Sequence, residues 1–169
     1  LGLPWQTLRV PADESWVALS ERPGHLRLRG RESLRSRYYQ SLVGRRLQAH
    51  RAVAETCLEF EPRSFKQMAG MALFYNSANW VYLRVSRGDD GRRELGVLTC
   101  DNGSYDEPLD EELDVETWPR VYMRASFDYA ELRLFASPDG EDWRQIGPVF
   151  DAGKLSDDYC GGLSFTGTF

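Results

Sequence analysis

Alternating apolar and polar positions run through most of the chain, and they are densest between residues 54 and 85. Val81, Leu83 and Val85 alternate with Tyr82 and Arg84. Successive side chains of a strand point to opposite faces of the sheet, so this period of two predicts a half-buried strand. An apolar run precedes it at 71–75, and the sequence NSAN at 76–79 predicts a hairpin turn between the two. Residues 54–60 also alternate, and we expect these three strands to form one antiparallel sheet.

Further alternating runs lie on both sides of this region. In the run at 25–30 we expect Leu26 and Leu28 to point inward. Asp139 and Gly140 separate two other runs and predict a second hairpin. Other predicted strands lie at 16–19, 94–99, 121–127, 132–136 and 143–146, with one helical turn at 151–155.

Roughly ten to twelve short strands with almost no helix are typical of a sandwich or barrel. We therefore predict an all-β fold, a two-sheet antiparallel β-sandwich of the jelly-roll kind. Residues 1–15 have little periodicity and predict an extended entry arm. Residues 16–169 then form one β-sandwich domain, which suits a chain of 169 residues.

The charge of the chain limits the partners that we expect, and its cysteines indicate the cellular location. The net charge of -5 argues against nucleic acid and against anionic membrane surfaces, because both would repel the chain. The sequence has no run of 18 apolar residues, so it predicts no membrane-spanning helix. Cys57, Cys100 and Cys160 are far apart and form no CxxC motif, so we expect free thiols and a cytoplasmic location.

The common catalytic and metal-binding motifs give no candidate active site. The two histidines, His25 and His50, lie outside any HExxH pattern, and GxSxG and phosphate-binding loops are absent from the sequence. We therefore predict no metal site, no cofactor and no catalytic residue. The 26 acidic residues offer many carboxylate pairs and single out none. Five of them lie between Pro108 and Glu116, where we expect a solvated loop, since a calcium loop would need a glycine to turn it.

Aromatic residues are the more informative group. Trp80, Tyr82 and Tyr75 alternate with the aliphatic positions and so belong to the opposite faces of their strands. An outward set of rings suits the apolar faces of sugars. The same rings are equally compatible with packing against a partner domain or an additional loop layer, and the composition does not separate these interpretations.

Several motifs in order along the chain resemble one known module. These motifs cover nearly the whole chain: 22–30, 32–34, 40–46, 55–62, 67–70, 75–76, 79–80, 101–103, 137, 139–143, 146–148, 155–157 and 165–167. Together they resemble the C-terminal concanavalin A-like β-sandwich of glycoside hydrolase family 43 β-xylosidases and α-L-arabinofuranosidases.

The resemblance implies an accessory role. In that family an N-terminal five-bladed β-propeller carries the catalytic carboxylates, and it hydrolyses xylosides, and often arabinosides, with inversion. The resemblance implies that this sandwich packs on such a propeller in the same polypeptide, and that the parent enzyme acts on xylo-oligosaccharides as a homo-oligomer. The family continues with another strand after this segment, so a sandwich ending at Phe169 would leave an open edge.

The resemblance also implies a site. One loop of the module places an aromatic side chain at the mouth of the propeller's substrate pocket. The match puts this loop in the segment formed by Phe165, Thr166, Gly167, Thr168 and Phe169. Phe169 is favoured over Phe165, because Phe165 still belongs to a strand whereas Phe169 lies beyond the glycine.

Three functions remain open from the sequence. The first is a non-catalytic module that completes another domain's substrate pocket. The alternative is a free-standing carbohydrate-binding module for xylan or xylo-oligosaccharides. The third is a hydrolase in its own right, which would need two carboxyl groups facing one cleft and separated by about 5 to 10 Å.

Overall fold

The computed structural model of the protein describes Gly2, residues 4–161 and residues 167–169. It divides the chain into two units. One is formed by Leu1–Arg46 together with Phe169, and the other by Leu47–Thr168. The boundary predicted at residue 15 stays a prediction.

Among its described residues, the first unit contains four two-residue strands. They are β1 (Gln6–Thr7), β2 (Val17–Ala18), β3 (Arg27–Leu28) and β4 (Val43–Gly44), paired antiparallel as β1 with β4 and β2 with β3. The prediction that Leu26 and Leu28 point inward is wrong, because both side chains are exposed. Their ladder ends after two residue pairs, so the alternation of the sequence does not produce a buried face.

The second unit is built from longer strands and ends in two short helical turns. A 3-10 turn spans Ala152–Leu155, and the short helix α1 spans Asp157–Cys160. The strands are β5 (Arg51–Leu58), β6 (Ala69–Asn76), β7 (Asn79–Arg87), β8 (Arg93–Asp101), β9 (Ser104–Asp106), β10 (Leu113–Asp114), β11 (Val121–Asp128), β12 (Glu131–Ser137) and β13 (Arg144–Asp151).

These strands form two antiparallel sheets. The five-stranded sheet has the order β10-β8-β7-β6, with β9 pairing beside β8, and the four-stranded sheet has the order β13-β12-β11-β5. Both predicted hairpins are confirmed, at 76–79 between β6 and β7 and at 138–143 between β12 and β13.

The expectation that residues 54–60 join β6 and β7 in one sheet is wrong. Strand β5 pairs instead with β11, from Arg51 opposite Asp128 to Leu58 opposite Val121. The connection that includes Pro62 carries the chain from one sheet to the other. Proximity in sequence therefore gave the wrong partner, because the β5–β11 ladder joins segments about seventy residues apart.

The core of the second unit lies between the two sheets. Fully buried side chains of the five-stranded sheet pack in one cluster with those of the four-stranded sheet. They include Leu83, Val85, Leu95, Met123, Leu132 and Leu134. Burying an aliphatic side chain of this size contributes about 2 kcal/mol. The predicted two-sheet antiparallel sandwich is thus confirmed. Among the described residues, no helix is both long enough and apolar enough to cross a membrane.

Candidate functional site

The described end of the chain is attached to the second unit at Thr168. Its carbonyl oxygen accepts a hydrogen bond from the backbone amide of Leu47 at 2.9 Å. Its hydroxyl Oγ1 donates to the carbonyl oxygen of Leu155 at 2.5 Å. Thr168 also lines a cavity of about 300 Å³, whose other walls are Leu47, Gln48, Ala49 and His50. Thr168 of the predicted segment thus lines an open surface pocket of the second unit. The role of this segment at a propeller's substrate pocket stays a prediction.

The predicted aromatic residue of this segment, Phe169, belongs to the first unit. Its ring is partly buried and covers Gly44, where an added Cβ atom would lie 3.5 Å from the Cβ of Phe169. The guanidinium of Arg46 lies 5.1 Å from the ring centroid, within cation–π range. Gly167 has a φ of 65°, a left-handed conformation that glycine adopts without steric cost. The other two predicted loop residues, Phe165 and Thr166, lie outside the described residues.

His50, which lines the cavity, belongs to an aromatic pair that the sequence did not single out. His50 stacks on Tyr129, with ring centroids 5.7 Å apart and an interplanar angle of 6°. Tyr129 is 64% exposed and has a φ of 55° in the tight turn between β11 and β12. The sequence gave no signal for this pair, because the two residues are brought together by the pairing of β5 with β11.

The three aromatic residues predicted to face outward are packed to different degrees. Trp80 and Tyr75 are only 2% and 3% exposed, and Tyr82 is partly buried. Tyr105 packs edge-on against Trp80 at 5.6 Å, and the indole N–H of Trp80 has no acceptor among the described residues. Burial raises the pKa of the Tyr82 hydroxyl well above its usual range.

Trp80 and Tyr75 are thus buried within this chain, and Tyr75 belongs to the core cluster between the sheets. A contact of Trp80, Tyr82 or Tyr75 with sugar or with another domain stays a prediction.

A polar cluster lies at the base of the C-terminal segment. The carboxylate of Asp101, at the end of β8, accepts from Lys154 Nζ at 2.7 Å and from the hydroxyl of Tyr159 at 2.9 and 3.1 Å. The hydrogen bond and charge of Lys154, together with the hydroxyl of Tyr159, lower the pKa of the Asp101 carboxyl. The same contacts raise the pKa values of Lys154 and Tyr159. The cluster is therefore charged and fully bonded at neutral pH.

A second cluster joins two acidic residues to a buried arginine. Arg84 on β7 donates to both oxygens of Glu112, at 2.5 and 3.3 Å. Burial raises the pKa of the Glu94 carboxyl, and the negative charge of nearby Glu112 raises it further. Glu112 belongs to the acidic run that we expected to be a solvated loop, so the sequence missed this ion pair. Because Arg84 neutralises Glu112, the cluster stabilises the sheet rather than presenting two free acids to a sugar.

Across the part of the chain that the structure describes, His, Cys, Asp and Glu side chains do not come together in groups of three that could hold a metal ion. The arrangement around Thr168 is instead a cavity with polar and aromatic walls, which suits contact with a sugar or with a neighbouring domain.

Comparison with known proteins identifies the module. The family model described as "Beta xylosidase C-terminal Concanavalin A-like domain" matches residues 1–169. The chain belongs to this family. The resemblance to the C-terminal module of family 43 glycoside hydrolases is confirmed, and with it the concanavalin A-like sandwich.

Individual relatives and one solved structure match the chain over nearly its whole length. A "Beta-xylosidase" from Bacillus subtilis (strain 168) is 39% identical over 171 residues, covering 100% of this chain and 32% of the relative. A "Xylan 1,3-beta-xylosidase" from Vibrio sp is 43% identical over 168 residues, covering 96% of this chain and 30% of the relative. The crystal structure of a xylan beta-1,4-xylosidase from Bacillus halodurans C-125 superposes with a TM-score of 0.96 at 41% identity, covering 100% of this chain and 33% of that one. This C-terminal module thus spans about a third of the relatives it matches.

Proposed function

We propose that this chain is the non-catalytic C-terminal module of a family 43 β-xylosidase. It packs on a catalytic β-propeller in the same polypeptide, and the segment carrying Phe169 helps to close the propeller's pocket around a xylo-oligosaccharide. The observation that carries this proposal is the double attachment of Thr168 beside a cavity, since Thr168 immediately precedes Phe169.

The lengths and the names of the relatives support the proposal. Relatives called xylosidases are about three times longer than this chain, which leaves room for a separate catalytic domain. A neutral xylo-oligosaccharide is compatible with the acidic net charge, because it is not repelled. We extend the proposal to a homo-oligomeric parent enzyme in the cytoplasm, which sedimentation of the intact protein and cell fractionation would test.

The test uses the full-length glycosidase with Phe169→Ala. Loss of a ring from the pocket mouth should raise KM for xylobiose by on the order of tenfold, which corresponds to about 1.4 kcal/mol of lost binding. Phe65→Ala is the matched control, because Phe65 is an exposed phenylalanine in the connection between β5 and β6. Unchanged kcat and KM in the Phe169 variant would refute the pocket-closing role.

A free-standing sugar-binding module is the second candidate, and the exposed Tyr129 ring stacked on His50 favours it. An exposed ring beside a cavity can stack on a pyranose. Calorimetric titration with xylo-oligosaccharides should then show saturable binding that Tyr129→Ala abolishes. Absence of heat at millimolar sugar would leave only the pocket-closing proposal.

A further inference from the structure

We propose that the loop at residues 32–40 of the first unit is the surface by which this module docks on the catalytic domain of the same polypeptide. Tyr38 and Tyr39 are its anchoring side chains. This inference rests on the proposed function, because it names the part of the module that meets the catalytic domain.

The two ends of the loop are held together and tied to the interior of the first unit. The backbone amide of Glu32 donates to the carbonyl oxygen of Tyr39 at 3.1 Å, and Glu32 forms an isolated parallel bridge with Gln40. The guanidinium of Arg31 donates to the carbonyl oxygen of Gln40 at 2.8 Å. The same guanidinium lies 4.4 Å from the ring centroid of Trp16, which is buried. The loop therefore has a fixed base.

Polar side chains within the loop bind its own backbone. The hydroxyl oxygen of Ser36 accepts hydrogen bonds from the amides of Tyr38 and Tyr39, at 3.2 and 3.3 Å. The side-chain amide of Gln40, a residue that is only 2% exposed, donates to the carbonyl oxygens of Leu34, at 3.3 Å, and of Ser36. A loop held in this way loses little conformational freedom on binding, so docking through it costs less free energy than docking through a mobile loop.

Two adjacent aromatic side chains nevertheless project from this ordered loop. Tyr38 is 68% exposed and Tyr39 is 56% exposed. Tyrosine provides a large contact area at a low cost in side-chain entropy, and it is enriched in the cores of protein interfaces. Other large apolar side chains of the same small unit are also exposed, namely Trp5, Leu19, Leu26 and Leu28. Exposed apolar residues in this number indicate a surface that another protein covers.

The charge of the first unit fits an acidic partner. Residues 1–46 contain nine arginines and four acidic residues, whereas the rest of the chain has more acidic than basic residues. Arg35 and Arg37 lie in the loop itself. Glycoside hydrolysis uses carboxyl groups around the substrate, so the pocket side of a catalytic domain is acidic. Phe169 belongs to this same basic unit, and a basic unit beside that pocket has the complementary charge.

The connection within the polypeptide favours the catalytic domain over a second copy as the partner. The chain matches the C-terminal domain of its family and covers 32% of one relative and 30% of another. The catalytic part of the intact enzyme therefore precedes residue 1 and is joined to the first unit. A partner tethered in this way has an effective concentration in the millimolar range, well above that of a free second copy in a dilute solution.

Hydroxyl-radical footprinting of the full-length glycosidase tests the inference, with the urea-unfolded enzyme as the reference. The label reaches Tyr38 and Tyr39 only in the undocked fraction, so a docked population of about 90% should slow their labelling about tenfold. Tyr129 and Phe65 are the internal controls, because they are aromatic residues of the second unit that are 64% and 59% exposed. Both should be labelled nearly as fast as in the unfolded enzyme.

The double substitution Tyr38→Ala and Tyr39→Ala tests whether docking depends on these two rings. Both side chains are exposed, so the module should stay folded, which circular dichroism checks. The double variant should raise KM for xylobiose about as much as Phe169→Ala does, because an undocked first unit moves Phe169 away from the pocket. Phe65→Ala is the matched control and should leave KM unchanged. If the double variant fails to fold, the footprint of the unaltered enzyme decides by itself.

The outcomes separate the docking role from the pocket-closing role. Labelling of Tyr38 and Tyr39 as fast as that of Tyr129 would overturn the docking role, even where Phe169→Ala raises KM and the proposed function stands. Protection that disappears on dilution to the monomer, as sedimentation measures it, would assign the loop to an interface between copies and would also overturn it. If Phe169→Ala leaves KM unchanged, the pocket-closing role fails, and the footprint alone decides the docking role.

Discussion

Arg84 donates two hydrogen bonds to the carboxylate of Glu112 while its own side chain is only 6% exposed. Gly96, which pairs opposite Arg84 on β8, makes this contact possible. A Cβ atom at Gly96 would lie 2.3 Å from Glu112 Oε1, so any other residue there would displace the carboxylate from its place beside Arg84. An acidic residue of a charge-rich run thus becomes part of the sheet's packing.

Glu112→Gln should strongly destabilise the protein. The substitution removes the nearest counter-charge of the buried guanidinium of Arg84 and leaves it the looser contact with the exposed Glu107 at 3.8 Å. Breaking a buried pair of this kind costs about 3 kcal/mol. Urea denaturation measures the change in the free energy of unfolding. Asp128→Asn is the matched control, because the Arg51–Asp128 pair is mostly exposed and should contribute less than about 1 kcal/mol. Equal losses for the two variants would contradict the burial argument.

Glu94→Gln should stabilise the protein near neutral pH, and the gain should shrink in acid. Burial and the charge of Glu112 raise the folded-state pKa of Glu94, so the folded state favours its protonated form. That contribution is present below the unfolded pKa of about 4.3 and is lost as pH rises through the raised folded pKa. Removing one of two like charges that face each other should raise the free energy of unfolding by about 0.5 kcal/mol. Melting temperatures of both proteins between pH 4 and pH 7 measure the difference; a gain that is independent of pH would contradict this origin.

Gly140→Ala should cost more stability than Gly103→Ala. Both glycines have a φ near 84°, where an alanine costs about 1 kcal/mol. At Gly140 the new Cβ would also lie 3.2 Å from the ring of Tyr122, whereas at Gly103 it would meet nothing within 4 Å. Thermal denaturation of the two variants compares backbone strain alone, at position 103, with backbone strain plus contact with the Tyr122 ring, at position 140. A smaller loss at Gly140 would show that the Tyr122 ring moves aside freely.

Leu134→Ala should lower the free energy of unfolding by about 2 to 5 kcal/mol. The side chain of Leu134 is fully buried between the sheets, so its truncation would leave a cavity. Val53→Ala on β5 provides the control, since Val53 is among the exposed apolar residues. The free energy of unfolding of Val53→Ala should fall by no more than about 0.5 kcal/mol. Chemical denaturation measures both, and a large loss at Val53 would show that the outer face of this sheet is covered in the intact protein.

Much of the architecture was readable from local patterns. The alternation at 81–85 and 121–127 predicted strands that form β7 and β11, and the turns at 76–79 and 138–143 were placed correctly. Strand periodicity and turn chemistry act over a few residues, so a sequence displays them directly. The ordered motifs were also sufficient to indicate the family.

The candidate site was predictable only in part. The resemblance pointed to the segment ending at Phe169, whose role at a substrate pocket stays a prediction. The structure shows only that Thr168 of this segment lines a cavity of the second unit. His50, Tyr129 and Asp101 were missed, because each acquires its role from residues that are distant in sequence. No local pattern distinguishes an aspartate that holds two turns from one that is merely solvated.

The sequence by itself determined that this chain is all-β, where most of its strands turn, and which family it resembles. Only the tertiary structure decided that β5 pairs with β11, that Trp80 is buried, and that Glu112 serves a buried arginine. The reason is physical. Strand formation depends on neighbouring residues, whereas the choice of strand partner and the covering of a sheet face depend on the summed burial of segments far apart along the chain.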